Sequence, residues 1–212
     1  MKPETFFYRL LDETKDAFYS SPISKSPFKT WGAAVCDNPI KQGAPIMAGI
    51  HWGGSSYTGF QTEYPSEKNR NYTFLRNVPG LLKNHFNINS IDEINYTNVC
   101  FFRSTHEEKI TPRDWRNTIN LFDKYVDYVK PSYMIILGRT PIEQLDKCLC
   151  LNDLVSVRVG ETKKRYRVFT AKYKGLYPLV GLPHPNGKIQ KKSLDDLWKV
   201  GRMMLNQNGL NN

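Results

Sequence analysis

Paired cysteines and acidic residues are both scarce in this chain of 212 residues. Its four cysteines, Cys36, Cys100, Cys148 and Cys150, include no Cys-x-x-Cys spacing, and Cys148-x-Cys150 alone is poor chelating geometry. The usual zinc and dithiol signatures are thereby excluded, so four free thiols, no metal and no cofactor are expected. No apolar run approaches the roughly 18 residues of a membrane-crossing helix. The first residues pass at once into Pro3, Glu4, Arg9, Asp12 and Glu13, without the apolar stretch of about 7–15 residues that marks a secretory signal. A cytoplasmic location is therefore the expectation. Neither repeats nor low-complexity blocks are visible, and only the asparagine-rich end, Asn206 to Asn212, is expected to fray. What remains is one domain over residues 1–205. Its 40% hydrophobic and 24% charged residues make it too apolar for a disordered polymer.

The shortage of acid leaves an excess of base: 30 Lys and Arg against 20 Asp and Glu, a formal charge of +10. Aromatic residues are plentiful, with 4 Trp, 12 Tyr and 11 Phe. Basic side chains neutralise phosphates with release of counterions, and flat rings stack on exposed bases at roughly 1–3 kcal/mol each. Composition thus fits a nucleic-acid partner, and fits a merely soluble basic protein as well.

Phe6, Phe7, Leu10, Leu11 and Phe18 recur at helical spacing and predict a first helix ending before Ser20-Ser21-Pro22, followed by a loop to Trp31. Pro45 to Ile50 reads as a buried strand that empties into the glycine-rich segment Gly49 to Ser56. Phe74, Leu75, Val78, Leu81, Leu82 and Phe86 form a second helical stripe, with Pro79-Gly80 near an end or kink. Tyr96 to Phe102 is a β-prone run that stops at Arg103-Ser104. Thr111-Pro112-Arg113-Asp114 supplies an N-cap, a first-turn proline and an acid ahead of Trp115, Ile119, Phe122 and Val126. Tyr133 to Leu137 then predicts a strand, Gly138-Arg139 a turn, and Thr140 to Glu143 a capping box. Val155 to Val159 and Arg167 to Thr170 suggest a peripheral hairpin around Lys163-Lys164-Arg165. Leu176 to Leu182 is a further strand, emptying into Pro183-His184-Pro185, and Ser193 is expected to cap a last helix carrying Leu194, Leu197, Val200 and Met204. Strands alternating with capped helices imply an α/β fold with a mainly parallel sheet. In such sheets ligands bind beyond the carboxyl ends of the strands, where His51, Asn98 and His184 are expected to converge.

Those three segments, in this order, resemble the uracil-DNA glycosylase superfamily. Gly49-Ile50-His51-Trp52-Gly53 resembles the family's first motif, Gly-x-Asp/Asn/Ala-Pro, and His184-Pro185-Asn186 resembles its last, His-Pro-Ser. Tyr96-Thr97-Asn98-Val99 looks like the Thr-Asn-Val strand of the iron–sulfur branch, although no cluster cysteines precede the first motif; there are echoes of the single-strand-selective, mismatch-type branch too. The match spans roughly residues 45 to 204. It implies a three-layer α/β/α fold with a central, mainly parallel four-stranded sheet. The activity it implies is hydrolysis of the N-glycosidic bond of uracil or a related deaminated base flipped out of single- or double-stranded DNA, by a metal-free, monomeric enzyme.

On this resemblance Gly49, Ile50, Trp52 and Gly53 form the first wall of the base pocket. Phe60 is the candidate stacking floor, or alternatively an ordinary core residue. Asn98 offers its amide oxygen to uracil N3–H and its amide N–H to O4. His184, stiffened by a proline on each side, donates to uracil O2 as negative charge builds there. His51 stands where relatives carry Asp, Asn or Ala; it is a candidate base for the hydrolytic water, a candidate nucleophile, or a block to ordinary turnover. Trp52 replaces the usual proline, and Gly53 lies where a tyrosine excludes the thymine methyl in uracil-specific relatives, so a permissive pocket is expected unless Trp52 or Tyr57 fills the space. Ser55, Arg103, Asn186, Gly187, Lys188, Lys191 and Lys192 are the expected phosphate contacts, and Ile189 is a candidate wedge between bases. The alternatives are a catalytically impaired module of the same fold that grips DNA or a flipped base, and an unrelated α/β enzyme or RNA-binding protein. His85 and His106 carry no partner signal.

Overall fold

The capping logic of the Thr111 segment and the apolar alternation of the short strands assemble into one sheet with helices on both sides. The computed structural model describes residues 1–26, 30–52, 59–66, 78–104, 110–160, 166–185 and 189–210. In chain order these form α1 (Pro3–Ser20), β1 (Thr30–Ala33), β2 (Ile46–Trp52), α2 (Val78–Phe86), β3 (Asn95–Ser104) and α3 (Pro112–Val129). There follow β4 (Met134–Leu137), α4 (Arg139–Lys147), β5 (Leu151–Val159), β6 (Tyr166–Tyr173), β7 (Tyr177–Leu182) and α5 (Lys191–Leu205). The chain is therefore α/β, as the alternation of elements predicts.

The sheet runs β1-β3-β2-β4-β7-β6-β5. Its four contiguous middle strands, β3, β2, β4 and β7, are mutually parallel, so their carboxyl ends lie along one rim. The seven strands exceed the four expected from sequence. Antiparallel β1 is added beside β3 at one edge, and β6 and β5 continue antiparallel beyond β7 at the other. The hairpin is accordingly longer than its alternating runs suggested and is hydrogen-bonded into the main sheet, with β5 as the outer edge. β1 was unreadable because Thr30 to Ala33 is short and contains a glycine, which carries no side-chain pattern.

Alternation along the middle strands sorts their side chains into two cores. Ile46, Ala48, Met134, Ile136 and Leu179 join a cluster with α1, α3 and α4 residues such as Phe7, Phe122, Tyr125 and Leu145. Met47, Ile135, Leu137, Val180 and Leu182 face the opposite way, against Leu82 and Phe86 of α2 and Leu197 and Trp198 of α5. A period of two in buried strands sandwiched by amphipathic helices yields this layering.

Local signals explain the helix ends. Thr111 Oγ1 accepts from Asp114 N–H, the N-cap the sequence predicts, while Asp114 accepts from Thr111 N–H and so closes a reciprocal box, and Asp114 also accepts from Ile23 N–H at 3.0 Å. The other two expected caps are corrected. α4 starts at Arg139 behind Gly138, whose φ of +102° suits glycine, and Glu143 pairs with Arg139 instead of closing a box on Thr140. α5 starts at Lys191 rather than after Ser193, since Leu194 N–H already donates to Gln190 O. The described part of α2 begins at Val78 and carries Pro79 and Gly80 near that end; Phe74 and Leu75 lie outside the described residues. Beyond α5 the chain makes a further helical turn over Asn206–Leu210, and Asn208 Nδ2 donates to Thr170 Oγ1 at 2.7 Å.

Candidate functional site at the parallel rim

Register fixes how the candidate residues stand to one another. On β2 and β3, Gly49 pairs with Asn98 and His51 with Cys100. Ala48 pairs with Ile136 on β4, and Leu137 pairs with Leu182 on β7. Counting along these strands puts Asn98, Gly49, Leu137 and Leu182 in one row across the sheet, with His51 and His184 each two positions further toward the rim. Neighbouring strands are about 4.8 Å apart, so β4 alone separates the two histidine-bearing strands by roughly 10 Å. Asn98 lies within β3 rather than at its end as expected, because β3 runs on to Ser104.

The Asn98 side chain is 4% exposed and makes no hydrogen bond among the described residues. It shares a face with Tyr96, which packs toward the α2 and α5 core. Gly49 explains its seat: a Cβ at Gly49 would stand only 2.4 Å from Asn98 Oδ1, so the amide occupies the space a side chain would take. A carboxamide this buried needs hydrogen-bond partners, which solvent or a ligand can supply. Ile50 points the other way, its Cδ1 within 3.4 Å of a Cβ built on Gly138, and it joins the α1 and α3 core. Gly138 N–H donates to Leu182 O at 2.7 Å, which ties β4 to β7 directly beneath His184.

His184 follows β7 by two residues and is partly buried; that burial pushes its pKa below the ordinary 6.5 and keeps the imidazole neutral near pH 7. His51 is partly buried near the end of β2, where the pairing with β3 slips between His51 and Trp52. Such a bulge re-aims the side chains after it. Trp52 pairs beyond the slip with Arg103, which is half-buried, and its indole meets the Tyr96 ring edge-on at 6.0 Å. Tyr96 was not singled out from sequence, although its position two residues before Asn98 on a strand places it on the same face.

Phe60 does not join this group. Its ring is edge-to-face with Phe18 at 5.4 Å and tilted against Tyr19 at 5.5 Å, packed on the α1 and α3 core. These contacts accord with the reading of Phe60 as a core residue. Ile189 rests on the α2 and α5 core, and Lys191 and Lys192 are exposed on the first turn of α5. Gly53, Ser55, Tyr57, His106, Lys163, Lys164, Arg165, Asn186, Gly187 and Lys188 lie outside the described residues. His85 bridges α2 to α5 through Asp195 Oδ1 at 2.8 Å, a structural partner that sequence did not reveal.

The thiols stand apart from the rim chemistry. Cys36, Cys100, Cys148 and Cys150 form no disulfide, and burial pushes Cys100 up to about 12 and Cys150 to about 11. Among the described residues no three of His, Cys, Asp and Glu come together as a metal site, and no helix is long and apolar enough to cross a membrane. The fold and rim define an α/β protein whose four parallel strands end along one edge of the sheet. No protein-family model and no curated protein matches the sequence.

Proposed function

We propose that the protein is a DNA glycosylase that hydrolyses the N-glycosidic bond of uracil or a related deaminated base flipped out of DNA. The observation that carries this reading is the Asn98 amide, without a hydrogen bond among the described residues and held over Gly49 near the rim of four parallel strands, with His51 and His184 just beyond it. The parallel run between two helical layers supports the resemblance to the uracil-DNA glycosylase superfamily. The excess of basic residues suits a phosphate backbone.

The chemistry follows from what each group can donate or accept. Asn98 Oδ1 accepts from uracil N3–H and its Nδ2–H donates to O4, a pattern the cytosine edge contradicts. Neutral His184 donates to O2, and that bond strengthens as the C1′–N1 electrons move onto the base. The departing base leaves an oxocarbenium-like sugar at C1′. His51, across the rim, takes a proton from the water that adds to C1′, or adds to C1′ itself and leaves a covalent enzyme–DNA species. Phosphate contacts fall to Arg103, Lys191, Lys192 and the basic segment 186–188.

The test uses purified wild type, His184→Ala and His51→Ala on single- and double-stranded oligonucleotides carrying uracil, hypoxanthine or xanthine. Products are read on an alkaline gel and a denaturing protein gel. Strand breakage after alkali, lost in His184→Ala, is the expected result; a slowed protein band absent from His51→Ala identifies a nucleophile. Intact substrates throughout, with DNA still shifted by the wild type, would replace this reading with a non-cutting binding module.

A further inference from the structure

Phe60 packs toward α1, whereas two other rings, Tyr96 and Trp52, stand on the same two paired strands as Asn98 and Gly49. Tyr96 pairs in register with Met47, five residues before Trp52 on β2 and roughly 16 Å away along an extended strand. Their ring centroids are nevertheless only 6.0 Å apart, at 70°. Both side chains therefore lean toward each other across the intervening row of Gly49 and Asn98. The slip in pairing at His51/Trp52 turns the indole back over the sheet. Trp52 is only partly buried, so part of its surface is open, while its Nε1 is buried without a hydrogen bond among the described residues. A partly exposed indole on the strand next to a carboxamide that has no hydrogen bond among the described residues can offer stacking and in-plane hydrogen bonding together. The ligand chemistry satisfying both is a planar heterocycle with an N–H next to a carbonyl, as in the imide edge of a pyrimidine or the lactam edge of a deaminated purine.

We infer that Trp52, propped by Tyr96, is the stacking platform of this site, and that it grips the base whose edge Asn98 reads. The inference rests on the glycosylase reading for the identity of the ligand and assigns a role that reading leaves empty. Trp52 does no chemistry at C1′; it holds the base plane so that the Asn98 amide and the His184 donor meet their atoms.

The experiment titrates free uracil into the full chain while exciting tryptophan at about 295 nm, with thermal shift as the binding readout independent of fluorescence. Wild type is expected to show saturable quenching and a raised melting temperature. Trp52→Phe keeps a ring, so uracil still raises its melting temperature while the quenching vanishes. Trp52→Ala weakens uracil binding roughly 5- to 150-fold, the range for loss of one base stack. Quenching that survives in Trp52→Phe, or wild-type uracil affinity in Trp52→Ala, overturns the assignment. If Trp52→Ala also cleaves uracil-containing DNA with unchanged KM, the glycosylase reading stands and only the platform falls. A wild type that neither binds uracil nor cleaves removes both. Trp52→Phe, close in shape, keeps the question answerable even if the alanine variant folds poorly.

Discussion

Replacing Gly49 by alanine tests the geometry of the rim with a single methyl group. The new Cβ would lie 2.4 Å from Asn98 Oδ1, whereas ordinary contact begins near 3.4 Å, so the amide must retreat by about 1 Å. A displacement of that size in a positioning group costs on the order of 100-fold in rate, or about 2.7 kcal/mol. Stability responds less. Overpacking costs roughly 1–3 kcal/mol, offset by the roughly 0.5–1 kcal/mol by which alanine outperforms glycine within a strand. At about 2–4 °C per kcal/mol for a chain of this size, the melting temperature should fall by less than about 10 °C. The assay is kcat/KM on uracil-containing DNA beside a thermal melt, for Gly49→Ala, Asn98→Ala and the double variant. Removing the amide removes the clash and leaves only the gain of alanine over glycine, so the double variant should melt about 1–4 °C above Asn98→Ala alone, a clear non-additivity. Wild-type kcat/KM in Gly49→Ala, or strictly additive melting temperatures, would refute the claim that Gly49 seats the Asn98 amide.

The remaining expectations concern protonation, thiols and capping. Burial lowers the pKa of His184 in the folded chain, so its contribution to stability is present above the unfolded value near 6.5 and is lost as pH falls toward the folded value. If neutral His184 is the donor, the acid limb of a kcat/KM profile lies below pH 6.5; a midpoint at or above 6.5 contradicts this assignment. Of the four thiols, Cys148 alone is more than marginally exposed, although burial raises its pKa too, so native protein at pH 8 should label slowly at one cysteine by mass spectrometry. Fast labelling of Cys36, Cys100 or Cys150 would show that the core opens more readily than its packing allows. Asp114→Ala strips the α3 cap and leaves Ile23 N–H without its acceptor, a loss of roughly 2–4 kcal/mol that should lower the melting temperature by roughly 5–15 °C. An unchanged melt would mean that the cap and the link to Ile23 contribute nothing.

Legibility in the sequence tracked how local each cause is. The α3 cap is written in four consecutive residues, so Thr111 and Asp114 could be read without the fold. The strands β2, β3, β4 and β7 announce themselves as short apolar runs because both their faces are buried, and their helices carry clear stripes. Arg139 pre-empted the box at Thr140 by taking Glu143, a competition between neighbours that a motif does not reveal. At the site, histidine and asparagine at strand ends were readable as types, but the seat of Asn98 depends on a cross-strand pairing with Gly49 that no linear pattern records. The packing of Phe60 is hidden for the same reason: its partners Phe18 and Tyr19 lie some forty residues away in α1. The Trp52–Tyr96 contact needed the slipped register, which is a property of two strands together.

The continuation of the sheet through β6 and β5 changes what kind of strand carries His184. β7 is laced on one side to β4 and on the other to β6, so no edge of it meets solvent, and the unpaired rim of the sheet is displaced onto β5, where Val155 and Val157 stand in the open. Amide exchange should follow that order. β5 would trade its hydrogens through local fraying, while the β7 amides leading to His184 would exchange only through openings approaching global unfolding. The imidazole is thus mounted on one of the last parts of the molecule to breathe, and thermal motion at the frayed margin is spent two strands away from it.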